Sequence, residues 1–146
     1  NCIAFDNAYE SGKGFDQNNN MSGITIYNSV GWGNLTNFSF NETPNDGSHH
    51  VLHNNVSFDP VTADTNIVAD SVQDYNSWTL AVTATITDFL SLDEELAKAP
   101  RQADGSLPDN DFARLVVASD LIDAGMDVDL PYCGTAPDLG AFEHCP

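Results

Sequence analysis

A seven-residue pattern that returns at nearly constant spacing restricts this chain more than any other feature. Asn1-Cys-Ile-Ala-Phe-Asp-Asn7 aligns with Asn28-Ser-Val-Gly-Trp-Gly-Asn34 and again with Asn54-Asn-Val-Ser-Phe-Asp-Pro60. The copies are offset by 27 residues (1 to 28) and 26 residues (28 to 54). Each keeps Asn, any residue, a β-branched residue, a small one, an aromatic, then Asp or Gly. Short alternating runs, Gly23–Tyr27 and His49–His53, lead straight into the later two copies. Alternation over about five residues is the period of a half-buried strand. Turns rich in Gly or Asn, Ser11–Gly14 and Asn45–Ser48, separate these runs. Several short strands per unit, with a period in the twenties, describe one coil of a parallel β-solenoid, in which like residues stack on like. A β-sandwich would not carry seven residues in register three times.

The predicted fold is therefore an all-β right-handed parallel β-helix, with coils over residues 1–60. Residues 61–146 are predicted to supply the last coil, loops and a C-terminal cap of the same domain. The asparagines fit this reading: 12 of 15 fall within residues 1–60. Asn tolerates a left-handed bend, and stacked Asn side chains bond to one another. Asn18, Asn19 and Asn20 are assigned to such a ladder. Ile3, Val30 and Val56 are expected to form an inward aliphatic stack, beside an aromatic one of Phe5, Trp32 and Phe58. Farther on, Asp64–Asp74 reads as a polar loop and Trp78–Leu90 as a strand pair. Ser91-Leu-Asp-Glu94 reads as a capping box opening a short helix through about Ala99, stopped by Pro100. Residues 77–146 are expected to cover the open end of the solenoid, since bare strand edges recruit other chains. The chain opens inside a repeat with no leader or N-terminal cap, which predicts that it continues a longer solenoid.

Charge narrows the partners. With 22 acidic against 4 basic residues and a net charge of −18, the chain is not expected to bind nucleic acid or an anionic membrane surface. No apolar run approaches the roughly 20 residues needed to span a bilayer. An acidic polysaccharide remains open as a partner if Ca²⁺ bridges the two sets of carboxylates. Cys133 and Cys145 lie close enough in sequence to staple the C-terminal tail in an oxidising setting, and their spacing matches no zinc signature. Cys2 is left over, either buried as a small hydrophobe or paired outside this chain. Sequons begin at Asn20, Asn34, Asn37, Asn41 and Asn55, which in so Asn-rich a region identify no host.

At this point a resemblance enters. Asn1-Cys-Ile-Ala-Phe-Asp-Asn7, Lys13-Gly-Phe-Asp-Gln-Asn-Asn-Asn20 and Gly23-Ile-Thr-Ile-Tyr-Asn28 resemble later coils of pectate lyases of polysaccharide lyase family nine. The tail agrees, in Pro100-Arg101, Asp104-Gly-Ser-Leu-Pro108, Asp120-Leu-Ile-Asp-Ala-Gly125 and Asp138-Leu-Gly-Ala-Phe-Glu143. The last of these marks β-helices broadly; the Lys-Gly-Phe-Asp-Gln-Asn-Asn run is narrower. The resemblance implies a secreted enzyme that cleaves pectate by Ca²⁺-dependent β-elimination. An Asp cluster holds the ion, and a lysine removes the C5 proton of a galacturonate. In the family that lysine follows a Gly-Phe pair. Here Gly14-Phe15 is followed by Asp16, so the main catalytic residues are expected on coils preceding this chain, in an N-terminal segment of the same protein.

Within the chain, Lys13 is the candidate base or substrate-carboxylate contact, Asp16 and Asp6 are candidate Ca²⁺ ligands, and Arg101 is the candidate uronate contact. The bland readings are a solvated turn lysine, turn aspartates capping amides, and an arginine paired inside an acidic cap. His49, His50 and His53 lack an obvious fourth metal ligand. Asp104, Asp109 and Asp111 lack the spacing of a calcium-binding loop. Trp32 and Phe58 are read as core. Two rival readings stand: a non-catalytic β-helix for carbohydrate binding or adhesion, and a β-helix lyase or epimerase for another uronate polymer.

Overall fold

The computed structural model describes residues 1–145. Strands β1 (Cys2–Phe5), β2 (Lys13–Asp16) and β3 (Thr25–Tyr27) make one turn of a coil. Strands β4 (Ser29–Trp32), β5 (Thr36–Phe40) and β6 (Val51–His53) repeat it. Strands β7 (Val56–Phe58), β8 (Ala63–Ile67) and β9 (Val72–Asp74) repeat it once more. Every pairing is parallel, giving three sheets ordered β1-β4-β7, β2-β5-β8 and β3-β6-β9. The register sets Ile3 on Val30 on Val56 and Phe5 on Trp32 on Phe58. The repeat aligned in the sequence is thus the stacking register, and the chain is a right-handed parallel β-helix closed by an irregular cap.

The bends use residues that tolerate positive φ. Asn28 and Asn54, at φ 48° and 58°, turn the third sheet into the first; Asp6, Gly33 and Asp59 turn the first toward the second. The asparagine ladder lies at these bends. Asn54 Nδ2 donates to Asn28 Oδ1 at 3.0 Å. Asn34 Oδ1 accepts from both the backbone and the side-chain amide of Asn7. Asn18, Asn19 and Asn20 are not part of it. They are exposed in the turn after β2, where Asn20 accepts only from the amide of Ser22. The ladder instead takes Asn54 and its neighbour Asn55, which donates to Asn76 Oδ1; both are fully buried, whereas Asn18, Asn19 and Asn20 face solvent.

The expected inward stack faces the other way. Side chains alternate across a strand, and Gly31, between Val30 and Trp32, is the residue set against Phe38. The coil interior is instead built from Phe38, Phe40 and Leu52, with Phe15 and Ile26 packed on them. Trp78 closes that interior at the last coil, its ring 4.9 Å from Phe38. Val30, Trp32, Val56 and Phe58 face outward and are buried under the C-terminal segment, against Phe89, Phe112, Leu121 and Leu139. The narrow coil takes the small residue of the repeat, while the large pair needs the cap.

Three local expectations change. The stretch 64–74 holds β8 and β9, because Asp64 and Asn66 point to solvent while Ala63, Thr65 and Ile67 alternate with them. The stretch 78–90 is no strand pair. It consists of turns and a 3₁₀ turn, Ile86–Asp88, where Thr85 and Asp88 cap each other's backbone, and Phe89 makes one antiparallel bridge to Leu115. Thr and Asp side chains that bond to nearby amides compete with ladder formation. The short helix α1 covers only Glu94–Ala97, capped by Asp93; Ser91 accepts from the amide of Asp93 and does not cap the helix.

Cys133 and Cys145 form a disulfide, whereas Cys2 is a free, exposed thiol and not a buried one. The bridge closes a loop of sequence separation 12. Limiting the unfolded chain in this way contributes about 3 kcal/mol for a short loop. Reducing and alkylating the pair should lower the urea midpoint accordingly, with no change in spectroscopic β content.

Candidate functional site

Lys13 and Asp16 occupy the two ends of β2, and the structure brings them together: Lys13 Nζ donates to Asp16 Oδ1 at 3.2 Å. Both side chains are about one-third exposed, 35% and 33%. Such a pair is worth at most about 1 kcal/mol. Asp6 is elsewhere, in the bend after β1 with its amide bonded to Trp32 O. Its carboxylate stands over Gly33, where an added Cβ would meet Asp6 Oδ1. Among the described residues no three His, Cys, Asp or Glu side chains converge as a metal site. Asp6 and Asp16 stand on different stretches of the first coil, the bend after β1 and the end of β2.

The histidines serve the coil. His50 is fully buried, accepting from the amide of Ile24 at Nδ1, so Nε2 carries the proton toward Glu42 O. His53 stacks on Tyr27 at 5.4 Å and reaches Asp74 O. His49 lies beside Asp70. The acidic trio is likewise dispersed. Asp104 accepts from Ser106, first through its hydroxyl and then its amide, which holds the carboxyl below its ordinary value. Asp109 pairs with Arg114 at 3.1 Å.

Of the four basic side chains, Lys13, Lys98 and Arg114 have carboxylate partners. Arg101 has none among the described residues. It donates to Gly105 O and lines an opening of about 370 Å³ beside Ile3, Phe5, Leu107 and Phe142. Arg114, which carried no sequence signal, lies over the Phe142 ring at 4.8 Å.

The Asp138-Leu-Gly-Ala-Phe-Glu143 ending is an internal brace. Asp138 accepts from the amides of Asp123 and His144, and Glu143 accepts from those of Cys133 and Asp138. Asp123 in turn accepts from Ala136 and Thr135, which hold its carboxyl below the ordinary 3.8. Its contribution to stability is thus present above 3.8 and is lost as pH falls through the lowered folded value. Glu143 has the opposite sign: burial first, then Asp138, raises its value, so acid relieves a cost of ionisation. Asp123→Asn should be less stable than the unsubstituted chain at neutral pH. Its urea midpoint, followed downward in pH, should converge with that of the unsubstituted chain in acid.

No protein-family model matches the chain. Similarity to individual proteins is extensive. The chain is 42% identical over 143 residues to pectate lyase L of Dickeya dadantii, covering 97% of this chain and 32% of that one. It is 34% identical over 134 residues to pectate lyase L of Paenibacillus polymyxa, covering 86% and 27%. The crystal structure of pectate lyase Pel9A superposes with a TM-score of 0.82 at 39% identity, over 97% of this chain and 34% of that chain. A rhamnogalacturonan lyase matches at a TM-score of 0.65, with 22% identity over 79% of this chain and 29% of that one, a likeness of fold alone. The chain thus spans about a third of the length of the relatives it matches. By sequence and by structure the chain resembles part of the pectate lyases of polysaccharide lyase family nine.

Proposed function

We propose that this chain forms coils and cap of a secreted, Ca²⁺-dependent pectate lyase whose base and metal ligands lie on other coils. The observation that carries this reading is the continuous match at 42% identity to pectate lyase L of Dickeya dadantii, over coils and cap alike. The dispersal of Asp6 and Asp16, and the engagement of Lys13 by Asp16, support a scaffolding part for this chain. β-Elimination removes the proton beside the galacturonate carboxylate and expels the oxygen at C4, leaving an unsaturated uronide. Excess acidic charge lets such a protein meet a polyanion only through bridging cations.

The test is a chimera in which this chain replaces its matching third of pectate lyase L from Dickeya dadantii. A folded chimera should release unsaturated uronide from polygalacturonate, and chelation should stop it. The 146-residue chain assayed alone should release none. A folded chimera that stays inert, although the parent is active in the same assay, overturns the reading.

A further inference from the structure

The third coil carries hydroxyl and carboxylate side chains where the second carries glycine and asparagine. Ser57 follows Gly31 in its column. Asp64 follows Asn37, since Thr36 and Phe38 pair with Ala63 and Thr65. These two residues extend a buried relay outward. Asn34 Nδ2 donates to Asn37 Oδ1, and Asn37 Nδ2 donates to Ser57 Oγ, both at 2.9 Å. Ser57, already accepting, commits its own proton to Asp64 Oδ1 at 2.8 Å. Asn34 and Asn37 are fully buried and Ser57 nearly so, whereas Asp64 is exposed. Three buried side chains in series therefore orient one surface carboxylate from beneath, which is how a contact is preorganised.

That carboxylate faces an opening of about 240 Å³ between the third coil and residues 78–84. Asp59 lines it too, from the bend after β7, and Phe58, Trp78 and Val82 supply apolar wall. Trp78 is fixed there by its indole N–H, which donates to Gln73 Oε1 at 3.0 Å. Asp64 Oδ2 and the Asp59 carboxylate take no donor among the described residues. The opening is thus rich in free acceptors and half apolar, and it calls for a ligand that donates. Sites for drug-sized ligands run from about 300 to 1,000 Å³, so this one suits a single ring.

We propose that the opening binds one neutral pyranose unit. Ring hydroxyls donate to Asp64 and Asp59, and the C–H face lies against the apolar wall. A uronate is disfavoured, because its own carboxylate would meet two others. A bare cation would leave Phe58, Trp78 and Val82 without a partner. A compact ammonium offers its donors at one point, whereas the two acceptors stand on different stretches, the bend after β7 and strand β8. The site is separate from Lys13 and Asp16 and does not rest on the catalytic reading.

Saturation-transfer NMR on the 146-residue chain tests it, with the methyl pyranosides of galactose, glucose, xylose and rhamnose, and methyl galacturonate alongside. At least one neutral pyranoside should receive saturation and shift the Ser77 amide; galacturonate should do neither. Asp64→Ala should weaken that binding by roughly tenfold or more, as loss of a charged acceptor does. Thr83→Trp, on the exposed wall, should fill the opening without touching the relay and abolish binding. The proposal is overturned if no neutral pyranoside binds, if galacturonate binds equally, or if both variants bind at full strength. Sugar binding that requires Ca²⁺, with Ca²⁺ alone shifting Ser77, would overturn it in favour of a cation site. No polymer is cleaved in this assay, so its failure leaves the lyase reading standing.

Discussion

Replacing Trp32 by alanine is expected to lower folding stability by about 3–5 kcal/mol. The indole lies between Phe5, at 4.8 Å and 6° from parallel, and Phe58, at 5.7 Å and 12°. Phe58 passes the stack on to Phe89 at 5.1 Å, and Phe112 meets Trp32 from the cap at 5.8 Å. One side chain therefore joins three coils to the C-terminal segment. Its removal leaves a cavity that Val30 and Val56, fixed by strand register, cannot move to fill. Domains of this size are stable by about 5–15 kcal/mol, so the variant stands near the limit of folding. Urea unfolding checks this, and Trp32→Phe supplies the control, since a smaller ring retains much of the stacking. A loss under about 1 kcal/mol for Trp32→Ala would show that the cap, and not the stack, holds the sheet together.

Asn55→Leu is the second large effect, of a different kind. Asn55 is fully buried. Its Oδ1 accepts from the Ser29 amide, and its Nδ2 donates to Ile26 O and Asn76 Oδ1. Leucine fills the same volume and satisfies none of these groups. The amide of Ser29 and the carbonyl of Ile26 are stranded in the interior, at about 1–3 kcal/mol each. The combined loss expected is about 2–6 kcal/mol. Asn20→Ala, in the exposed turn, should stay within about 0.5 kcal/mol of the unsubstituted chain. Equal losses at the two positions would show that asparagine acts here through bend propensity and not through the ladder.

The contrast between these two asparagines shows how far the sequence could be read. Side-chain identity at fixed spacing determined the fold, because stacking like on like at 27 and 26 residues is itself the parallel register. It determined the bend positions, where Asn28 and Asn54 take positive φ, and the pairing of Cys133 with Cys145. Similarity to pectate lyases was legible too, in runs such as Lys13–Asn20.

Other features depended on what lies across from a residue, which local pattern does not contain. Alternation shows that Val30 and Trp32 share a face, but only the position of Gly31 against Phe38 makes that face the outer one. The cap that buries it carries no repeat, and its course is set by contacts such as those of Phe89, Phe112 and Leu139. The candidate site divided in the same way. Lys13 and Asp16 were visible as charges, yet their ion pair and the separation of Asp6 follow from the ends of β2 and the bend after β1. The repeat specifies the coil because each rung makes the same local contacts; the cap and the charges are placed by tertiary structure because each of their contacts occurs once.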